Sequence, residues 1–362
     1  MTTRQSNPRQ PGSQGNVVRP TMQNLLKTMI DIGASDLHVS AGEVPSLRVD
    51  GQIRRLDNDQ ITGDDARRLA YSIMNHKQRA RFEEVHEVDF SLGLKGLARF
   101  RVNVFTQARG VGMVLRHIPN KVWGLDDIHG PQSLVRIADS RQGLVLVTGP
   151  TGSGKSTTLA AILDHINRTR SQHIITIEDP VECLHVPIRC MINQREVGTH
   201  TLSFANALRA ALRQDPDIIM VGEMRDLETI SLALTAAETG HLVFGTLHTN
   251  SAANTIDRIV DVFPSLQQFQ IQAMLSSSLL AVVSQQLVPR HGRRGRVAAF
   301  EVMWVTQAIR TLIRDRKLHQ IPGVMQASRG EGMQTMETAL RTLVNHREIT
   351  QEQMNATLAG SH

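Results

Sequence analysis

Residues 149–157, GPTGSGKST, limit what this chain can fold into more than any other stretch. A glycine, four free positions and then Gly-Lys-Ser, here Gly149, Gly154, Lys155 and Ser156, is the spacing of a phosphate loop. Before it runs GLVLVT at 143–148, short, apolar and β-branched, which reads as a buried parallel strand. After it, Leu159, Ile162, Leu163 and Ile166 recur at helical spacing. A glycine-rich loop between a strand and a helix can wrap an anion with backbone N–H groups and add the positive end of the helix. The candidate nucleotide-binding set is therefore Gly149, Pro150, Thr151, Gly152, Ser153, Gly154, Lys155, Ser156 and Thr157. Lys155 would reach the β- and γ-phosphates of ATP, and the Ser156 hydroxyl would meet Mg²⁺.

The remaining composition narrows the class. A chain of 362 residues suits two domains plus appendages rather than one core. The formal charge is 40 − 34 = +6, and Arg4, Arg9 and Arg19 in the acid-free first twenty residues account for half of it. A mildly basic folded part with 3% aromatic residues offers little for a nucleic-acid groove or base-stacking platform, so no nucleic-acid partner is expected. Cys183 and Cys190 form no CxxC pair, which excludes a four-cysteine zinc site and fits a reducing, cytoplasmic compartment. No apolar run approaches 18 residues, and the N-terminus lacks an apolar signal core.

In chain order, residues 1–20 read as a disordered tail. Thr21 reads as a helix N-cap and Gly33 as the helix end. Residues 34–39 alternate like a strand, and 47–49 and 52–56 form a hairpin around Asp50-Gly51. Thr62 and Asp65 resemble a capping box opening a helix to about Glu84. Strand patterns follow at 88–92, 97–106 and 111–118, giving an α-β-β-α-β-β-β domain over 21–118. Residues 119–124 read as a linker. From 125 to 362 strands at 144–148, 174–178, 218–221 and 242–246 alternate with helices, an α/β domain with a mainly parallel sheet and C-terminal helices. Chemistry should collect at the carboxyl ends of those strands.

Three further clusters fall there. IEDPVE at 177–182 brings Glu178 and Glu182, which could hold Mg²⁺ or orient water, or could form a plain acidic turn. DPDIIMVGEMRD at 215–226 is an apolar strand ending in Glu223, a suitable base for a water attacking the γ-phosphate. GHLVFGTLHTNSA at 240–252 brackets a strand with His241 and His248, whose spacing sets them on opposite faces or ends and argues against one metal site. His248 could sense the γ-phosphate, although a single histidine is more often structural. In the first domain, alternation places Arg99, Arg101 and Asn103 on one strand face, with Arg116 on an adjacent strand. That basic face is either solvated or a source of arginine fingers.

These four boxes in fixed order resemble the ATPases of secretion and type IV pilus systems, and the similarity covers nearly the whole chain. Within that superfamily the chain is similar to the retraction ATPases. It begins with a single small domain, carries AIRTLI at 308–313 and GMQT at 332–335, and lacks the four-cysteine motif of assembly motors. Thr311 stands where the retraction motif usually has Asn. The resemblance implies a PAS-like N-terminal domain, a RecA-like C-terminal domain and a homo-hexameric ring. It further implies Glu223 as base, Glu182 with neighbouring Glu178 as functional acids, and Arg101 and Arg116 as arginines reaching the γ-phosphate. His241 and His248 match its histidine pair. Ala308, Ile309, Arg310, Leu312 and Ile313 lie in a helix with aliphatic residues on one side, and partner coupling is expected of Arg310.

The implied function is an ATP-hydrolysing motor for pilus retraction and twitching motility. It would act at the inner face of the inner membrane on the pilus platform protein, with a second retraction ATPase as a further implied partner. An accessory retraction ATPase or a plasmid or secretion-system ATPase shares the same signals. A nucleic-acid translocase is opposed by the composition, and a non-hydrolysing scaffold by the presence of Lys155, Ser156 and Glu223 together.

Overall fold

The structure, a computed structural model, describes residues 20–49, 51–94, 97–118 and 122–360. The chain divides into two compact units, Met1–Pro119 and Asn120–His362. Of the tail only Pro20 is described, and of the linker only 122–124, as coil; Asp50 also lies outside the described residues.

The first unit opens with α1 (Met22–Ile32), capped by the Thr21 hydroxyl and closed by Gly33 at φ 72°. Next come β1 (Asp36–Ser40), β2 (Ser46–Val49) and β3 (Gln52–Arg55). Where one helix to Glu84 was expected there are two, α2 (Gly63–Ile73) and α3 (His76–Val85). Asn75 causes the break: its side chain accepts from the Gln78 N–H while the Gln78 side chain accepts from the Asn75 N–H, a complete capping box that starts a new helix. The strands β4 (Glu87–Leu94), β5 (Ala98–Gln107) and β6 (Gly110–Ile118) finish the unit. The order is thus α-β-β-β-α-α-β-β-β: the three strands before α2 are those read at 34–39, 47–49 and 52–56, and the second helix is the added element. The sheet runs β3-β2-β1-β6-β5-β4, antiparallel at every pairing. Phe100, Val102 and Val104 are fully buried on one face of β5 and leave the arginines on the other.

In the second unit α4 (Gln132–Ala138) leads into β7 (Gly143–Thr148), α5 (Lys155–Thr169) and β8 (His173–Glu178). There follow β9 (Met191–Glu196), α6 (Phe204–Ala211), β10 (Ile218–Val221), α7 (Leu227–Glu238) and β11 (Leu242–Leu247). The last part contains α8 (Ala252–Asp261), α9 (Ser265–Ser278), β12 (Leu279–Pro289) and β13 (Arg296–Trp304). It ends with α10 (Gln307–Arg314), α11 (Ile321–Ala327), α12 (Met336–Asn345) and α13 (Gln351–Ala359). The seven-stranded sheet runs β13-β12-β7-β11-β10-β8-β9, parallel except where β13 returns along β12. Every residue of β7, β8, β10 and β11 is buried, because helices cover both sheet faces. At about 1.5–3 kcal/mol per buried aliphatic side chain, these four strands are the least mutable part of the unit. Being parallel neighbours, they deliver the loops that follow them to one edge of the sheet.

Candidate nucleotide-binding site

The phosphate loop leaves β7 at Gly149 and enters α5 at Lys155. Gly149, Gly152 and Gly154 take φ of 141°, 77° and 90°, conformations that favour glycine. A Cβ on Gly149 would collide with the Gln285 carbonyl, and one on Gly154 would lie 2.8 Å from the Gln285 side-chain nitrogen. Most other long helices here start with a Ser, Thr, Asn or Asp cap, but Gly154 gives α5 no side-chain cap. The first-turn N–H groups of a fifteen-residue helix are thus left for an anion. The Ser153 hydroxyl is buried with no hydrogen-bond partner among the described residues, and Ser156 and Thr157 are exposed in the first turn.

Lys155 folds back over the loop, its Nζ donating to the carbonyls of Gly149 at 2.7 Å and Pro150 at 3.1 Å. Burial pushes its pKa down, and the nearby Glu223 charge opposes that. The same Nζ is 3.5 Å from Nδ1 of His248, whose Nε2 is 2.8 Å from Oε1 of Glu223. Nε2 of the ring can donate to the carboxylate while Nδ1 accepts from the ammonium. Glu223 also pairs with Arg225. Burial raises the Glu223 pKa, but the hydrogen bonds from Arg225 and His248 outweigh it and hold the carboxyl below its ordinary value. Lys155, His248 and Glu223 come from the loops after β7, β11 and β10, three adjacent strands, which is why they meet.

Glu178 is different. It is buried at the end of β8, and both its oxygens accept from within the chain: Oε1 from Thr176 at 2.7 Å and Gln194 at 3.2 Å, Oε2 from the Glu182 N–H at 3.1 Å. Burial raises its pKa above the usual glutamate range. Three donors of its own chain thus engage the Glu178 carboxyl, which sets it apart from the exposed Ser156 hydroxyl. Glu182 lies exposed on the loop that follows.

His241 stands just before β11, beside Gly143 at the opposite strand end, and its Nδ1 lies 2.9 Å from the Ala236 carbonyl. At about 3.3 Å per residue the strand separates it from His248 by roughly 20 Å. In its own chain His241 therefore does not join the loop cluster. In the first unit Arg101 and Arg116 face each other on β5 and β6, and Arg116 Nε donates to Asp36 at 2.8 Å.

The 308–313 stretch forms most of α10. Ile309 and Ile313 are fully buried, Leu312 packs half-buried against the core and Ala308 is exposed. The Arg310 guanidinium donates to the carbonyls of Ser276 and Ser277, in the last turn of α9. Within its own chain Arg310 thus caps the C-terminal end of α9.

Sequence reasoning missed Gln285 on β12, whose Oε1 accepts from Thr158 at 2.7 Å beneath the phosphate loop. It also missed Arg225, although the Glu-Met-Arg spacing after a strand could have suggested an ion pair.

Residues 12–356 match the family model described as type II/IV secretion system protein. The chain belongs to the type II/IV secretion system protein family. Within it, the chain is 56% identical over 320 residues to the type IV pilus retraction ATPase PilT of Pseudomonas aeruginosa, covering 88% of this chain and 93% of that protein. It is 42% identical over 330 residues to the type IV pilus ATPase PilU of the same organism, covering 91% and 86%. The crystal structure of the pilus retraction motor PilT with bound ADP superimposes with a TM-score of 0.88 at 49% identity, covering 93% of this chain and 97% of that one. The ATPase DotB of Legionella pneumophila follows at 0.84 and 27% identity, covering 98% and 99%. The fold of this family member is accordingly an N-terminal α+β domain followed by a RecA-like ATPase domain. No described helix is long and apolar enough to cross a membrane.

Proposed function

We propose that this chain is an ATP-hydrolysing motor that powers retraction of type IV pili. The observation that carries the chemistry is the contact chain from Lys155 through His248 to Glu223, which joins the phosphate loop to two other strand ends. Phosphate-loop N–H groups and Lys155 hold the β- and γ-phosphates. Glu223, kept ionised by Arg225 and His248, accepts the proton of the attacking water. His248 reports γ-phosphate occupancy to Glu223 through the ring that bridges it to Lys155. Arg101 and Arg116 supply positive charge to the γ-phosphate as it leaves. Glu182 assists from the loop after β8.

Among the described residues no group of three or more His, Cys, Asp or Glu side chains is assembled to hold a metal. The exposed hydroxyl of Ser156 directly after Lys155 fits an ion held jointly with nucleotide oxygens. Bound there, Mg²⁺ would neutralise phosphate charge. We place the working assembly as a homo-hexamer at the cytoplasmic face of the inner membrane. It would act on the pilus platform protein, alongside a second retraction ATPase and without nucleic acid. Support comes from the 56% identity to a retraction ATPase against 42% to PilU.

The test is sheared surface pilin, quantified in a strain deleted for this gene. Excess pili with lost twitching is the expected outcome. Absent pili would make the chain an assembly motor, and unchanged pili would favour the accessory reading.

A further inference from the structure

The antiparallel sheet of the first unit carries one charged row. Asp36 on β1 is in register with Arg48 on β2 and Arg116 on β6; Arg116 is in register with Arg101 on β5 and Arg101 with Ser91 on β4. Two arginines thus flank one carboxylate, and one of them, Arg116, stands directly opposite a third, Arg101, an arrangement that repels.

Asp36 is only 3% exposed. Its Oδ1 accepts from Arg116 Nε at 2.8 Å; its Oδ2 accepts from the Ser35 hydroxyl at 2.8 Å and lies 3.7 Å from Arg48 Nε. The Arg116 side chain nevertheless remains 68% exposed. It is anchored near its stem while the outer part of the guanidinium fork faces solvent. An arginine tethered through Nε keeps Nη donors for an anion and loses much of the rotamer freedom that a free side chain would give up on binding.

Resting on the reading of Arg116 given above, we infer that Asp36 is a positioning residue for ATP hydrolysis: it holds Arg116 through Nε so that the outer guanidinium nitrogens are presented to the phosphate. Asp36 itself touches no nucleotide. It also offsets the repulsion between Arg101 and Arg116, which lets two arginines occupy neighbouring positions on one face. A carboxylate that only tied β1 to its neighbours would affect folding and leave turnover alone.

The experiment is steady-state ATP hydrolysis by the full-length chain carrying Asp36→Asn, Arg116→Ala or both, with thermal unfolding measured alongside. Arg116→Ala is expected to lower kcat by about a hundredfold or more. Asp36→Asn should lower kcat by about tenfold with KM unchanged within about twofold, and the double variant should match Arg116→Ala. Wild-type kcat in Asp36→Asn, or losses that multiply in the double variant, would overturn the positioning role while leaving Arg116 in place. Full activity in Arg116→Ala would remove the reading of Arg116 and the proposal with it. Should Asp36→Asn fail to fold, Arg116→Lys decides. It keeps the charge without an Nε tether and should lose as much kcat as Arg116→Ala, whereas retention of more than half the wild-type kcat would overturn the proposal.

Discussion

Replacing Arg310 by alanine separates a local structural role from a coupling role. The guanidinium donates to two of the last carbonyls of α9, the Ser277 contact being 2.7 Å, and the side chain is half-buried. Those carbonyls have no intrahelical partner. A charged donor to a carbonyl contributes about 1.5–3 kcal/mol, and a cation at a partly buried helix C-terminus up to about 2 kcal/mol. Both figures describe the same contact and are not summed, and water replaces part of what is lost. A destabilisation of about 1.5 kcal/mol follows. In a domain of this size about 1 kcal/mol shifts Tm by about 2–4 °C, so Tm should fall by about 3–6 °C. Thermal unfolding followed by circular dichroism reads that shift. Hydrogen exchange should quicken at the end of α9 and not in β7 or β11. Arg310→Lys, with one compact donor group, should recover about half of the loss. An unchanged Tm with unchanged exchange at the end of α9 would refute the capping argument. Lost pilus retraction in such a fully stable variant would return Arg310 to partner coupling.

Further outcomes follow from the same geometry. Glu223→Gln keeps the shape and removes the charge; kcat in a phosphate-release assay should drop by about 10²–10⁴-fold with ADP affinity within about threefold, and a turnover near wild type would exclude Glu223 as base. Gly154→Ala places a Cβ 2.8 Å from the Gln285 side chain at φ 90°, a conformation costing about 1–2 kcal/mol, so binding of a fluorescent ATP analogue should weaken by tenfold or more. Glu301 is buried on β13, and burial raises its pKa despite N–H donors from Ala252 and Met336. A raised folded-state pKa contributes stability below the ordinary glutamate value and loses it as pH rises through the raised one. Wild type should therefore lose ground to Glu301→Gln in Tm as pH climbs above about 4.5, and the opposite trend would show that the two N–H donors outweigh burial.

Much of this could be read before the structure because the decisive signals are local. The phosphate loop sits between two patterned elements, and the loops bearing Glu223 and His248 follow apolar runs that only a parallel sheet buries. Once β10, β11 and β7 are neighbours, contact among Lys155, His248 and Glu223 is a matter of strand order. What escaped was set by distance or competition. Gln285 reaches Thr158 across 127 positions, and no local pattern announces that. Arg310 looked outward on a helical wheel, yet the neighbouring helix end supplied two acceptors. Asn75 looked like an ordinary helical residue until Gln78 completed its cap.

The floor of the phosphate loop leaves a trace in descent as well as in space. Gln285 fills the room that the missing Cβ of Gly154 leaves, and its amide oxygen accepts from Thr158. A change at any one of these three positions alters what the other two can accommodate. Across descendants of this chain, residues 154, 158 and 285 should therefore be inherited as a set, although more than a hundred residues separate the last from the first two.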